Sequence, residues 1–400
     1  MCHIKSKKNI KNNILFLILV VLCFRFGFIF FKGFKSDLSC FKAWSYYVYK
    51  YGTRKFYDLD IFKDYPPGYI YILYLIGFLR DKFNLTENIL ELFIKFSAII
   101  SDVITSIFIF KLAKNKFSSK SFLIFMFYVL NPAIIFNSSV WGQIDSIYTL
   151  ILVLSINYLI KNKIFVSCIL FCLAILTKPQ SLILSPVILF KTYDHLKENN
   201  SEFDIFKKTV LILLSCFVFV FLFTIPFTQN LNYSSIIDSF IKSFKNYDFA
   251  TVNACNLYML LGLNYYKISQ LKLFFLFIEI ISILLITIYI FYRLNRDKKY
   301  HLACANINLL VFLFTLKIHE RYIYPSLIFF LIDYIYSHDK KTLFLYTIFS
   351  LTCFLNLLVV YLSHNNNVNF NYIYIFKILS FVNLLLGVFS IRENNKKAFV

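Results

Sequence analysis

Charge is scarce in this chain. Only 16% of its 400 residues are Asp, Glu, Lys or Arg, against 59% hydrophobic, and the mean hydropathy is +0.67. Soluble globular domains carry nearer a quarter charged residues, so that class is excluded and a polytopic membrane protein is expected. Acids are scarcer still, 21 against 42 basic residues. In a soluble chain the net charge of +21 would suggest nucleic acid. Here the basic residues sit in short clusters between apolar runs, the positive-inside pattern, and no nucleic-acid partner is expected. The nine cysteines lack any metal-ligand spacing, and most read as packing residues. Only Cys40 and Cys255 fall in predicted outer loops, where a disulfide could join them. No internal repeat or low-complexity linker is visible, so one domain over 1–400 is expected. The first apolar run, Ile14 to Phe31, follows the basic stretch Lys5 to Lys11. It lacks a small-residue cleavage site and is too long for a signal-peptide core, which predicts an uncleaved first span.

Apolar runs, with Lys and Arg collecting on one side of them, predict twelve spans. Four fall at about 14–32, 88–111, 121–138 and 146–160. A hairpin of two short helices over 164–190, broken at Lys178-Pro179, follows, and then 207–227, 271–293, 301–318, 323–336, 342–362 and 372–391. This arrangement makes both termini and seven basic clusters cytoplasmic: Lys5 to Lys11, Lys111 to Lys120, Lys161 to Lys163, Lys191 to Lys208, Arg293 to Lys299, Lys340 to Lys341 and Arg392 to Lys397. It requires the run Gly68 to Leu79 to stay outside as an interfacial or re-entrant helix, consistent with its shortness and its start after Pro66-Pro67. A true span there, placing Lys111 to Lys120 outside, is the other arrangement.

Under this topology several polar groups face outward together. They are Asp37, Asp64, the stretch Trp141 to Asp145, the Lys178-Pro179-Gln180 break, the loop Thr251 to Asn256, and His319-Glu320-Arg321-Tyr322. Both tryptophans, Trp44 and Trp141, join them, although an outer aromatic belt would account for either one alone. Ionisable groups at membrane depth are costly and usually face a cavity or one another, which singles out Lys178 and the cluster Lys317 to Arg321. Snorkelling of Lys178 and a local ion pair through Glu320 are the alternatives. Arg25, inside the first span, is expected to pair with an acid such as Asp102.

A carboxylate at the outer interface can take the proton of an acceptor hydroxyl as it attacks a sugar's anomeric carbon. Cationic groups meanwhile stabilise a departing lipid phosphate. Asp37 is the candidate base, and Lys178, His319 and Arg321 are candidates for the phosphate. A flippase or transporter for lipid-linked sugar would want polar residues through the bilayer midplane and related halves, and neither is visible. A polysaccharide polymerase or ligase would place basic residues in one large outer loop, yet Thr228 to Leu271 holds few and no arginine.

The order Asp-x-x-Cys-Phe-Lys-x-Trp (37–44), Asp-Tyr-Pro-Pro-Gly-Tyr (64–69), Asn-Pro-Ala (131–133), Val-Trp-Gly-Gln-Ile-Asp-Ser (140–146), Lys-Pro-Gln (178–180), Thr-Val-Asn-Ala (251–254) and His-Glu-Arg-Tyr (319–322) resembles bacterial GT-C glycosyltransferases. Within them it is most similar to the group related to the mannosyltransferase that adds the second mannose of glycosylphosphatidylinositol anchors. The resemblance implies an all-α, GT-C-like bundle of about 12 transmembrane helices with outer-face interfacial helices in the first loop. It further implies a cell-membrane enzyme that moves a sugar, mannose, from a polyprenyl-phosphate donor to a glycan, lipid or protein acceptor on the extracytoplasmic face, with inversion. The acid of the first outer loop, Asp37, carries over as catalytic base. Asp64 or Asp145 could hold acceptor, a divalent metal or simply the loop; neither forms an Asp-x-Asp pair, which leaves metal dependence open. Tyr65, Trp141, Gln143, Gln180, Asn253, Asn256 and Glu320 complete the expected substrate contacts.

Overall fold

An apolar segment in a bilayer has to satisfy its own backbone groups, and helices do this within one segment. The computed structural model describes residues 2–117, 119–198, 200–245, 247–365 and 372–392, nearly all helical apart from the connections. Beyond Arg392, the basic cluster ending at Lys397 lies outside the described residues. The chain divides into two compact units, Met1–Tyr247 and Asp248–Val400.

The first unit contains α1 (Cys2–Ile29), α2 (Lys35–Tyr51), α3 (Thr53–Phe56), α4 (Pro67–Phe83), α5 (Glu87–Lys116), α6 (Ser121–Val129), α7 (Pro132–Ile135), α8 (Asp145–Ile160), α9 (Ile164–Thr177), α10 (Ser185–Lys197), α11 (Glu202–Thr224) and α12 (Ser234–Lys245). A π-helical turn, Phe136–Trp141, links α7 towards α8, and a 3-10 turn, Pro179–Leu184, links α9 to α10. α5 is the central element and packs against α1, α2, α4, α6 and α8. The second unit contains β1 (Thr251–Val252), α13 (Leu257–Leu260), α14 (Lys272–Asp297), α15 (Tyr300–Phe314), β2 (Ile318–His319), α16 (Tyr324–Ser337), α17 (Lys340–Asn365) and α18 (Ile373–Ile391). Here α15 packs against α14, α16 and α18, and β1 pairs in parallel with β2.

This is the all-α polytopic membrane architecture expected. Among the described residues five helices are long and apolar enough to cross a bilayer: Glu87–Lys116, Glu202–Phe227, Ile268–Asp297, Lys340–Asn365 and Ile373–Ile391. Along α11 and α14, Leu213, Phe217, Leu222, Leu273, Phe277 and Leu285 stay exposed, an apolar surface that water would not tolerate and lipid would cover. Other expected spans are shorter apolar helices, Ile14–Ile29, Asp145–Ile160, Ile164–Thr177 and Tyr300–Phe314. The expected break at Lys178-Pro179 is present between α9 and the 3-10 turn.

One difference concerns 121–138, which is not a single straight span. Ser121–Val129 and Pro132–Trp141 meet at 46°. Pro132 has no N–H to continue the helix, while the Asn131 side chain accepts from Ala133 N and Ile134 N and so starts a new one. The run Gly68 to Leu79 lies within α4, whose 17 residues at ~1.5 Å each reach about 25 Å, short of a ~30 Å hydrocarbon core.

The bundle around α5 is tied together by Asp102. Its Oδ2 faces Arg25 Nε at 3.2 Å with both side chains fully buried, so the expected pairing is present. Ser138 Oγ also donates to Oδ2 at 2.6 Å, and Ser146 Oγ and Tyr128 OH donate to Oδ1 at 2.8 Å and 3.0 Å. One carboxylate therefore joins α1, α5, α6, the π turn and α8. Asp102→Ala leaves the Arg25 charge buried without its acid, and a loss of about 3–5 kcal/mol is expected. Thermal unfolding in detergent checks this, and an unchanged midpoint would refute it.

Candidate active site

The residue that places Asp37 is Gly33. The linker between α1 and α2 lies on α5, where Gly33 N donates to Glu91 Oε1 at 2.7 Å and Lys95 Nζ donates to the carbonyls of Ile29, at 3.2 Å, and Phe31. Lys95 and Lys42 both pair with Glu91, at 2.9 Å and 3.3 Å. A Cβ at Gly33 would push Leu38 Cδ1 aside from 2.0 Å and crowd the Trp141 carbonyl oxygen at 3.0 Å, so a glycine suits this close passage. Two residues later α2 begins, with Asp37 half-buried in its first turn. A carboxylate there is favoured by the helix dipole.

The π turn brings the partners of Asp37. The Asn137 carbonyl accepts from Gly142 N at 3.1 Å and Gln143 N at 3.0 Å, and Gly142 sits at φ +86°, a left-handed conformation that suits glycine. This reversal lays the Trp141 ring against Phe34, stacked with centroids 4.1 Å apart, while Phe34 N donates to the Trp141 carbonyl at 3.0 Å. Trp141 Nε1 then donates to Asp37 Oδ2 at 2.7 Å, and Gln143 Nε2 donates to the same oxygen at 2.5 Å. π turns occur often at functional sites, and this one is wholly buried.

The remaining first-unit candidates gather on the adjoining helix ends. At the N-terminus of α8, Asp145 pairs with Lys178 through Oδ1 and accepts from Asn137 Nδ2 at 2.8 Å through Oδ2. The pair is only 0% and 1% exposed, and the ammonium also stands 5.2 Å from the Tyr148 ring centroid. Neither charge would be tolerable there alone. Snorkelling of Lys178 is therefore not what the structure shows. A Cβ on Gly68 would lie 2.5 Å from the Leu176 carbonyl oxygen, so a glycine lets the start of α4 close onto the end of α9. That contact carries Asp64 and Tyr65 towards the same end of the bundle. Tyr65 OH donates to Gln143 Oε1 at 3.4 Å, and its ring lies 5.7 Å from Phe41 and 5.4 Å from Trp44. Burial first, then the negative charges of Asp37 and Asp64, push the Cys40 thiol up to about 11, which puts both acids within electrostatic reach of one residue. Gln180 is half-buried in the 3-10 turn.

In the second unit, His319 lies on β2 beside Val252 of β1, and Asn253 follows in a left-handed conformation at φ 54°. Asn253 Nδ2 donates to Tyr265 OH at 2.8 Å. Glu320 accepts from Arg321 Nη1 at 2.6 Å, and its other oxygen is 4.0 Å from His319 Nδ1. Two of the residues expected to meet phosphate, His319 and Arg321, thus share Glu320 in this structure. Asn256 caps α13, accepting from Met259 N at 3.1 Å.

One possible pairing is corrected here, and one alternative is set aside. Cys40 and Cys255 are both free thiols, not a disulfide. Cys255 is enclosed in its own unit, where its N–H donates to Asn356 Oδ1 at 3.2 Å and its carbonyl accepts from Asn383 Nδ2 at 2.9 Å. The tryptophans do not form a surface belt. Trp44 and Trp141 are 2% and 0% exposed, and their indole N–H groups go to the Phe62 carbonyl and Asp37. Residues the sequence reading passed over are Asn137, which joins the π turn to Asp145, and Asn356, whose amide also donates to the Asn253 carbonyl at 2.8 Å. The available signal was a lone amide inside an apolar run, where an unsatisfied polar group is costly.

Fold and site define a polytopic membrane protein that presents a half-buried carboxylate among buried polar groups at the ends of its helices. Residues 51–243, a little under half of the chain, match the ALG6, ALG8 glycosyltransferase family. The match supports the GT-C glycosyltransferase superfamily and indicates a membrane glycosyltransferase using a lipid-linked sugar donor. It includes Asp64, Trp141, Gln143, Asp145 and Lys178, while Asp37 and the whole second unit lie outside it. No curated protein matches the chain.

The buried pair generates a prediction. Asp145→Ala should cost about 3–5 kcal/mol because Lys178 is stranded, whereas Asp145→Leu with Lys178→Met should recover most of that loss. A double-mutant cycle on thermal unfolding measures it. Additive effects of the two substitutions would show that the groups are not coupled.

Proposed function

We propose that the protein transfers a hexose, mannose, from a polyprenyl-phosphate donor to an acceptor hydroxyl on the extracytoplasmic face, with inversion at the anomeric carbon and Asp37 as the base. The single observation that carries this reading is the Asp37 carboxylate. It is held on one oxygen by two N–H groups, on a side chain that stays half-buried, and is set at a helix end rather than buried in an ion pair. A base must be fixed and reachable, and Asp37 combines these features.

In the reaction the acceptor oxygen bonds to the anomeric carbon as its O–H bond breaks and the proton passes to Asp37. The bond from the anomeric carbon to the phosphate oxygen breaks with its electrons, leaving lipid phosphate. Lys178 in the first unit, and His319 and Arg321 in the second, are each proposed as phosphate-binding residues within their own unit, where a phosphate would compete with Asp145 and with Glu320 respectively. Asp64, Tyr65 and Gln180 are proposed for the substrates beside Asp37, and Asn253 and Asn256 for those in the second unit. Mannose is the sugar that the resemblance of these motifs implies; the family match itself names none.

Asp37→Asn should lower turnover by about 10²–10⁴-fold, the usual contribution of a positioned base, with an unchanged unfolding midpoint. The test uses purified protein in lipid vesicles with synthetic polyprenyl-phosphate mannose or glucose, following both transfer and donor hydrolysis. Full turnover in Asp37→Asn would remove it as the base. Movement of the lipid-linked sugar across the bilayer without any cleavage would replace the transferase reading by a flippase.

A further inference from the structure

We propose that Trp141 and Gln143 are positioning residues for Asp37, dedicating Oδ2 to structure so that Oδ1 alone receives the acceptor proton. This rests on the reading of Asp37 as the base. It departs from the expectation that both residues contact substrate.

A carboxylate oxygen has two lone-pair directions, and both of those on Oδ2 are taken by the indole Nε1 at 2.7 Å and the amide Nε2 at 2.5 Å. Among the described residues no donor reaches Oδ1. A proton arriving from an acceptor hydroxyl therefore finds its lone pair on Oδ1, on a side chain that remains half-open.

Each donor is in turn prevented from turning away. Trp141 is fully buried, stacked on Phe34 and edge-on to Phe136 at 6.4 Å, and its backbone is held by Phe34 N. The indole has no acceptor to offer, so it can only donate. Gln143 could in principle rotate its amide and set an oxygen against Asp37, which would repel. Its Oε1 is instead occupied by Ile144 N at 3.3 Å and Tyr65 OH at 3.4 Å, which leaves the NH₂ group facing the acid. The backbone of Gln143 is fixed by the Asn137 carbonyl, and Asn137 is fixed by Asp145. The orientation of the base is thus passed from the buried Asp145–Lys178 pair through the π turn to the carboxylate. The indole of Trp141 has no further N–H to offer, and Gln143 keeps only the second hydrogen of its NH₂ group.

The chain contains only two tryptophans, which makes the contact directly observable. In ¹⁵N-tryptophan-labelled protein in lipid nanodiscs, two indole N–H signals are expected. Trp141→Phe, which keeps an aromatic ring against Phe34, should delete one and thereby assign it. Asp37→Asn and Gln143→Met should each move that signal and leave the Trp44 signal, bonded to a backbone carbonyl, in place. In steady-state cleavage of synthetic polyprenyl-phosphate mannose, Gln143→Met and Trp141→Phe should lower kcat by about 10–100-fold while the donor KM stays within about twofold, since a misplaced base costs rate rather than binding. A raised KM with unchanged kcat, or a Trp141 signal that ignores Asp37→Asn, overturns the proposal while leaving Asp37 as base. Full turnover in Asp37→Asn overturns the base reading itself, and the proposal with it. The indole measurement does not depend on activity, so it decides the contact even if one substitution impairs folding.

Discussion

A charge inside an apolar interior has to be matched by another charge or by several dipoles, and in the first unit that requirement is met at Asp102. Its two oxygens collect Arg25, Ser138, Tyr128 and Ser146, from four separate segments of the chain. Removing any of these segments would leave the acid poorly satisfied. The cost of an unpaired buried carboxylate, several kcal/mol, therefore acts as a positional constraint on the helices around α5. The π turn is one of the segments held in this way, and it is the π turn that carries Trp141 and leads to Gln143.

A second buried pair, Asp145 with Lys178, lies at the far side of the same turn and fixes it through Asn137. Between these two anchors the chain reverses at Gly142 and delivers an indole and an amide onto one oxygen of Asp37. The ionised groups deepest in the bundle thus serve geometry, whereas the acid proposed for chemistry sits at a helix end and stays half-open. This division follows from desolvation. Protonating one member of a fully buried ion pair strands the other charge, while a carboxylate held by neutral N–H groups can accept a proton with little rearrangement. In the second unit the amides of Asn356 and Asn383 do comparable work, each replacing a backbone partner for the loop around Cys255.

Much of the helical framework was readable along the chain. Hydropathy placed the long spans near Glu87–Lys116, Glu202–Phe227, Lys340–Asn365 and Ile373–Ile391, because bilayer thickness imposes a minimum length on any crossing segment. The break at Lys178-Pro179 and the Arg25–Asp102 pair were also legible, since a proline and a lone buried charge each demand a specific local answer. The bend at Asn131-Pro132 was not, because the apolar run passes through it without interruption. Loop position alone allowed a disulfide between Cys40 and Cys255, and the structure leaves both as thiols.

The sequence by itself determined that this chain lives in a membrane, where its long helices lie and which ionisable residues had to find partners. Those properties are set by local sums of transfer free energy, which a linear reading can add up. Only the tertiary structure decided who the partners are: that Trp141 and Gln143 spend their donors on Asp37, that Lys178 is committed to Asp145, and that Arg321 is committed to Glu320. Partner choice depends on which groups the packed helices bring within about 3 Å of one another, and distances between segments far apart in sequence are not encoded in any one of them.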